Sequence, residues 1–250
     1  MAKQASVPWI MRSKPHPRLR LFCFPYAGGG ASIFRLWSKE LPEEVEVCPV
    51  YLPGRENRFV EPGFTDAQAL AQTLTDELLP YTDIPFALFG HSMGGLISYV
   101  WACHLRAVHG RTPAHLFISG QRAPQLPPRH APIHHLPDAA FLDELFRLGG
   151  TPAAVMQNKE LMELMLPLLR ADFTLYESYV YTPAEPFDCP ISAYYGEQDH
   201  LVSMEELAAW REHTRGSFTL TGIPGNHFFL QSAQALLLQK MRQDLTKLPG

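Results

Sequence analysis

The stretch Ala87-Leu88-Phe89-Gly90-His91-Ser92-Met93-Gly94-Gly95-Leu96 constrains this chain most, because an apolar run stops there at a serine flanked by glycines in the pattern G-x-S-x-G. A serine held in a sharp turn between a strand and a helix leaves no room for a Cβ at Gly90 or Gly94. A helix starting at Met93 would aim its free first-turn N–H groups at whatever reacts with Ser92. So short a pattern also arises by chance, and it gains weight only with a strand before it, a helix after it, and an acid and a histidine further along.

The chain supplies that context. Phe86 to Phe89 reads as the strand entering the turn, and Leu96, Ile97, Val100, Trp101 and Leu105 form an apolar face on the helix leaving it. Upstream, Leu19 to Phe24 is a buried strand feeding the loop Pro25-Tyr26-Ala27-Gly28-Gly29-Gly30, and a helix with Ile33, Phe34, Leu36, Trp37 and Leu41 on one face is expected next. Val45 to Leu52, interrupted by Pro49 and closed by Pro53-Gly54-Arg55, reads as a strand near a sheet edge. Thr65-Asp66-Ala67-Gln68 has the form of a capping box ahead of Leu70, Leu74, Leu78 and Leu79 at helical spacing. Leu116 to Ser119, Ile191 to Tyr195 and Ser217 to Leu220 are further strands; Ser203 opens a capped helix to about His213, and Phe228 to Leu245 closes the chain as a helix. Strands alternating with helices imply an α/β fold with a mostly parallel central sheet flanked by helices.

Between Ser119 and Ile191 the character changes. Gln121 to Pro137 is rich in proline, arginine and histidine, and Asp138 to Leu148 and Asn158 to Tyr176 read as two helices, the second more densely apolar than one buried stripe needs. The next strand is delayed by some seventy residues, far more than an ordinary connection. Residues 1–250 are therefore read as a single domain carrying a helical lid insertion at about 121–186, with apolar surface facing a substrate channel. An ordinary helical subdomain covering the core is the alternative.

A formal net charge of -4 gives no bulk reason to expect nucleic acid or an anionic membrane as partner. Cys23, Cys48, Cys103 and Cys189 are scattered in apolar stretches without metal-ligand spacing, so free buried thiols in a reducing cytoplasm are expected. His130, His134 and His135 lack acidic or thiol partners at helical spacing and read as a solvated loop, so no metal is expected. Gly28, Gly29 and Gly30 are not followed by the Lys-Ser/Thr of a phosphate cradle, and no cofactor is expected. Met1 to Arg20 has no uninterrupted apolar core of a signal peptide, and no run approaches the roughly 20 residues of a membrane span. A cytoplasmic monomer is the expectation.

Ser92, Asp199 and His227 all follow strands at the end where parallel sheets place their sites, in the chain order Ser, Asp, His. A serine hydroxyl is a poor nucleophile until a base takes its proton, and a neutral imidazole near pKa 6.5 can do so. His227 fills that role, and the Asp199 carboxylate would fix its tautomer and stabilise the imidazolium. The backbone N–H groups of Met93 and Ala27 are the candidate oxyanion donors. Asp188, Asp172, His91 and His200 are the competing acids and bases.

Five ordered motifs, Phe24-Pro25-Tyr26-Ala27-Gly28-Gly29, Leu52-Pro53-Gly54-Arg55, Gly90-His91-Ser92-Met93-Gly94-Gly95, Gly196-Glu197-Gln198-Asp199 and Gly225-Asn226-His227-Phe228-Phe229-Leu230, together resemble a type II thioesterase of the α/β-hydrolase superfamily. Such stand-alone editing enzymes of polyketide and nonribosomal peptide synthesis are related to the medium-chain acyl thioesterases of fatty acid synthesis. One departure is Asn226, where the family often has glycine. The resemblance implies an acyl group in thioester linkage to the phosphopantetheine arm of an acyl or peptidyl carrier protein, with stalled or aberrant acyl groups removed by hydrolysis. A medium-chain fatty acyl-carrier thioesterase and a carboxylesterase acting on oxygen esters are the alternatives. Since carrier proteins are usually acidic, Arg122 and Arg129, or Arg18 and Arg20, are candidate docking residues.

Overall fold

The computed structural model of the protein describes residues 7–149 and 159–248. Strands β1 (Leu19–Phe24), β2 (Val45–Pro49), β3 (Phe86–His91), β4 (His115–Ser119), β5 (Ile191–Gly196) and β6 (Phe218–Ile223) form one sheet in the order β2-β1-β3-β4-β5-β6, every pairing parallel. Parallel strands are covered on both faces, and β1 shows how: Leu19, Leu21 and Cys23 enter one apolar cluster while Phe22 and Phe24 enter another. β2 lies at the sheet edge, where Pro49 costs no ladder bond to an outer neighbour.

Helix α1 (Ala67–Leu78) and helix α2 (Met93–His109) cover the face carrying Phe22 and Phe24. Trp101 of α2 meets Phe22 and Phe24 edge-on, with ring centroids 5.2 and 5.7 Å away. α2 ends at Gly110 in the left-handed conformation (φ +63°), whose N–H closes onto the Arg106 carbonyl. Between β4 and β5 run α3 (Asp138–Leu148) and α4 (Lys159–Glu177), with a small apolar cluster of their own around Phe141, Leu145, Met162 and Leu169. The predicted first residue of the second of these helices, Asn158, lies outside the described residues. Helix α5 (Met204–Ala208) opens with the Ser203–Glu206 capping box expected from its sequence. Among the described residues, no helix is long and apolar enough to cross a membrane.

Three local expectations are corrected. The segment after the glycine loop is two tight turns of 3₁₀ helix, Ala31–Phe34 and Trp37–Lys39, in place of one helix. Three residues per turn aligns i with i+3, which sends both Phe34 and Trp37 inward against Phe89. The cap of α1 is Asp66, one residue past Thr65, and its carboxylate accepts the Ala69 N–H at 2.7 Å. The closing helix is two, α6 (Phe229–Ser232) and α7 (Gln234–Leu245), parted at Ala233, whose φ of -126° leaves helical geometry.

β1 is the point where strand order reverses, with β2 to one side and β3 to the other, and a crevice opens there at the carboxyl ends of β1 and β3. α2 approaches that crevice so closely that a Cβ built on Gly94 would stand 2.2 Å from the Phe24 carbonyl oxygen, and one on Gly90 2.0 Å from the Gly94 oxygen. Replacing Gly94 by alanine is expected to lower the unfolding free energy by roughly 3 kcal/mol or more in urea denaturation, since backbone must move. At Gly110, where nothing lies within 4 Å of an added Cβ, the alanine penalty should be only the conformational one, about 1–2 kcal/mol. Equal losses at the two positions would contradict this account of the packing.

Candidate active site

Ser92 sits between β3 and α2 with φ 53° and ψ -122°, a conformation sparsely populated for residues other than glycine. The turn is held from both sides: the Ser92 N–H donates to the Ser119 carbonyl at 2.8 Å, and the Gly95 N–H to the Ser92 carbonyl at 2.8 Å. Met93 is the first residue of α2, with no helical turn before it, so its N–H has no partner within the helix.

Asp199 and His227 arrive from the other side of the crevice. The loops after β5 and β6 are interlocked: Gln198 N–H donates to the Gly225 carbonyl at 2.9 Å, and the Gln198 side chain accepts the Gly225 N–H at 2.6 Å. A Cβ on Gly196 would lie 2.5 Å from the Asn226 oxygen, so glycine is what lets the loops touch. Within that frame His227 Nδ1 donates to Asp199 Oδ2 at 2.8 Å, both side chains being buried. The second carboxylate oxygen accepts the N–H groups of Leu201 (2.8 Å) and Val202 (3.2 Å), which fixes its plane. Asn226 is tolerated because its Oδ1 accepts the Phe228 N–H at 2.9 Å and closes the loop as an Asx turn.

His91, the residue before Ser92, and His227 meet over the end of β4. A Cβ on Gly120 would lie 3.0 Å from His91 Cε1 and 3.3 Å from His227 Cε1, and the two imidazoles stand 5.3 Å apart. Burial, reinforced by the neighbouring His227, pushes His91 well below the usual histidine range. His91 is therefore neutral, and its Nδ1 is engaged with Ser119 Oγ at 2.9 Å, which leaves His227 as the histidine of the crevice.

The other competitors are placed elsewhere. Asp188 is exposed and near Arg215 (3.7 Å), and Asp172 on α4 is buried against Arg55. His134 has no acidic partner at helical spacing, but its Nδ1 meets the distant Glu177 at 2.7 Å, a contact that local spacing cannot show. Arg20 is buried at the amino end of the sheet, paired with the buried Glu46 and the exposed Asp83, which removes it as a docking residue.

A second serine, histidine and aspartate cluster lies at the amino ends of β4 and β5. His115 Nε2 and Asp244 Oδ2 both meet Ser192 Oγ, each at 2.9 Å, and Thr219 donates to it at 3.0 Å. There the aspartate holds the hydroxyl and not the imidazole, while the imidazole itself donates to the serine. A hydroxyl donating to a carboxylate and accepting from a histidine cannot lose its proton to that histidine, so the cluster is a structural network.

Chemically, then, the carboxyl ends of the strands carry a serine in a strained backbone conformation and an imidazole oriented by a buried carboxylate. The thioesterase domain family matches residues 19–245. The gramicidin S biosynthesis protein GrsT of Aneurinibacillus migulanus is 47% identical over 91% of this chain and 89% of its own. RedJ, a thioesterase from the prodiginine biosynthetic pathway of Streptomyces coelicolor, superposes with a TM-score of 0.84 at 42% identity, covering 91% of this chain and 86% of RedJ. BorB, the type II thioesterase of the borrelidin biosynthetic cluster, superposes with a TM-score of 0.84 at 33% identity, covering 94% and 96%.

Burial pushes both His115 and His213 down to about 4 from an ordinary value near 6.5. Because the unfolded chain takes up these protons first, their contribution to stability is whole above about pH 6.5 and is lost as the pH falls toward 4. The variant His115→Gln keeps a donor for Ser192 without the titration. Its urea midpoint should gain on that of the wild type step by step between those pH values, and a constant offset would contradict the assignment.

Proposed function

The chain belongs to the thioesterase domain family and is a thioester hydrolase, and from that premise we propose that it removes aberrant or stalled acyl groups from the phosphopantetheine arms of carrier proteins in polyketide or nonribosomal peptide synthesis. Ser92 is the nucleophile, His227 the base and Asp199 its orienting acid. The observation that carries this reading is the 2.8 Å His227–Asp199 bond, both groups buried, at the same end of the sheet as a serine whose backbone is strained.

In the first half-reaction, Ser92 Oγ attacks the thioester carbonyl as His227 Nε2 takes its proton. Negative charge gathers on the carbonyl oxygen, where the N–H groups of Ala27 and Met93 receive it. Asp199 stabilises the imidazolium that forms. Collapse breaks the carbon–sulfur bond and expels a thiolate, which, its thiol having an ordinary pKa near 8.5, needs less help from an acid than an alkoxide or amine and takes the proton from His227, restoring the neutral base. Water then repeats the sequence on the acyl-serine, with His227 again the base, and releases the carboxylic acid.

α3 and α4, inserted between β4 and β5, serve as the lid of a single domain. The carrier, being acidic, meets the carboxyl end of the sheet. Arg129, about half exposed and 3.5 Å from Glu206, is better disposed for this than Arg122, whose guanidinium is engaged by the carbonyls of Leu126 and Pro127. The named relatives support the assignment to such pathways: GrsT is named for gramicidin S biosynthesis, and BorB is titled a type II thioesterase.

Ser92→Ala should lower kcat for an acyl-carrier substrate by roughly 10⁴ to 10⁶. Activity within tenfold of wild type would exclude Ser92 as the nucleophile. Arg129→Glu should raise KM for acyl-carrier substrates severalfold and leave that for a small acyl thioester unchanged, and parallel changes would exclude a docking role. Matched oxygen esters and thioesters of the same acyl group separate a thioesterase from a general esterase.

A further inference from the structure

The loop after β1 is tied to α4 by a buried ion pair that the chemistry above does not use. Asp172 and Arg55, 2% and 6% exposed, meet in a two-pronged arrangement, Nη2 to Oδ1 at 2.7 Å and Nη1 to Oδ2 at 3.0 Å. The same Oδ2 accepts the Gly28 N–H at 2.7 Å, and Arg55 Nη1 also donates to the Gly29 carbonyl at 3.1 Å. Gly28 and Gly29 immediately follow Ala27, so the pair grips the loop next to a candidate oxyanion donor.

The helix carrying Asp172 is seated on backbone. At Gly28 (φ +77°) an added Cβ would stand 2.7 Å from Leu169, and at Gly63 one would stand 3.0 Å from the Ala171 Cβ. Tyr26 to Gly29 is a turn closed by the Gly29 N–H on the Tyr26 carbonyl at 2.9 Å, with the Ala27–Gly28 peptide in its middle. A central peptide is the part of a turn freest to flip, and positive φ at the third residue belongs to one of its two senses. The Asp172 carboxylate, accepting that peptide's N–H, which is Gly28's, holds the sense observed and so anchors the turn whose preceding peptide carries the Ala27 N–H. Arg55 and Asp172 also line a small pocket together with Met93, the residue of the other candidate donor. A buried ion pair gives little stability over apolar residues of equal volume, so geometry is what this one supplies.

We propose that Arg55 and Asp172 are positioning residues, latching α4 to the Ala27–Gly29 loop so that the Ala27 donor is in place only while α4 is seated. The proposal rests on Ser92 as nucleophile and on Ala27 and Met93 as oxyanion donors. Seating of the lid and readiness for chemistry are then one event, and an enzyme whose lid is lifted holds substrate without cleaving it efficiently.

The test uses the full chain, with active sites counted by labelling with a fluorophosphonate carried to completion. In Asp172→Asn, kcat per labelled site for a small acyl thioester should fall on the order of 10²-fold, with KM changed less than about threefold. Affinity for a trifluoromethyl ketone, which forms an oxyanion on Ser92, should fall in step with kcat. A purely structural role would instead lower the fraction of labelled sites and leave their kcat alone. Should Asp172→Asn fail to fold, the paired replacement Arg55→Met with Asp172→Leu leaves no buried charge unpartnered and carries the same expectation. A kcat per labelled site within threefold of wild type, in either protein once folded, overturns the latch. Failure of the wild type to be labelled, or labelling of Ser92→Ala, overturns the reading beneath it instead.

Discussion

Everything at the crevice depends on one close approach of backbone to backbone, α2 against the ends of β1 and β3. Gly90, Gly94 and the Phe24 carbonyl come together at distances no Cβ would permit, and Ser92 takes positive φ as the consequence. Such a conformation costs about 1–3 kcal/mol and persists only where its surroundings over-determine it. Here they do: Leu96, Ile97, Val100, Trp101 and Leu105 are all buried on α2, each side chain worth about 1.5–3 kcal/mol. The helix is held down by its apolar face, and the strain is left at its first turn, where the serine stands.

Strand order turns that local geometry into a site. Because the chain returns from β2 across β1 to β3, the loops after β1 and β3 border one crevice, and β5 and β6 bring an acid and a histidine to the same end of the sheet. The amino end holds groups of the same kinds, His115, Ser192 and Asp244, arranged so that every proton is already committed. Composition is alike at the two ends. What differs is which atom faces which.

Much of this was legible in the chain because it is encoded locally. The glycine pattern about Ser92, the apolar period of α2 and the strand and turn signals before Asp199 and His227 each lie within a few residues, and all six strands appear where their apolar runs stand. The features that escaped are long-range. Asp172 read as one more acid of an inserted helix, and its partner Arg55 is 117 residues away. Arg20 read as a free surface cation, although it is buried and paired with Glu46 and Asp83. The turns holding Phe34 and Trp37 read as a helix because apolar residues at i and i+3 suit either geometry, and the packing against Phe89 decides.

Covalent acylation of Ser92 is the central claim, and rapid quenching tests it most directly. The enzyme would be mixed with a carrier protein bearing an isotopically labelled acyl group, quenched in acid within the first turnover, digested, and its peptides mapped by mass. The expected result is the label on the peptide containing Ser92, appearing before free acid and decaying as the acid forms. Label on a peptide containing Ser192, or free acid formed with no acylated peptide at any time, would contradict it.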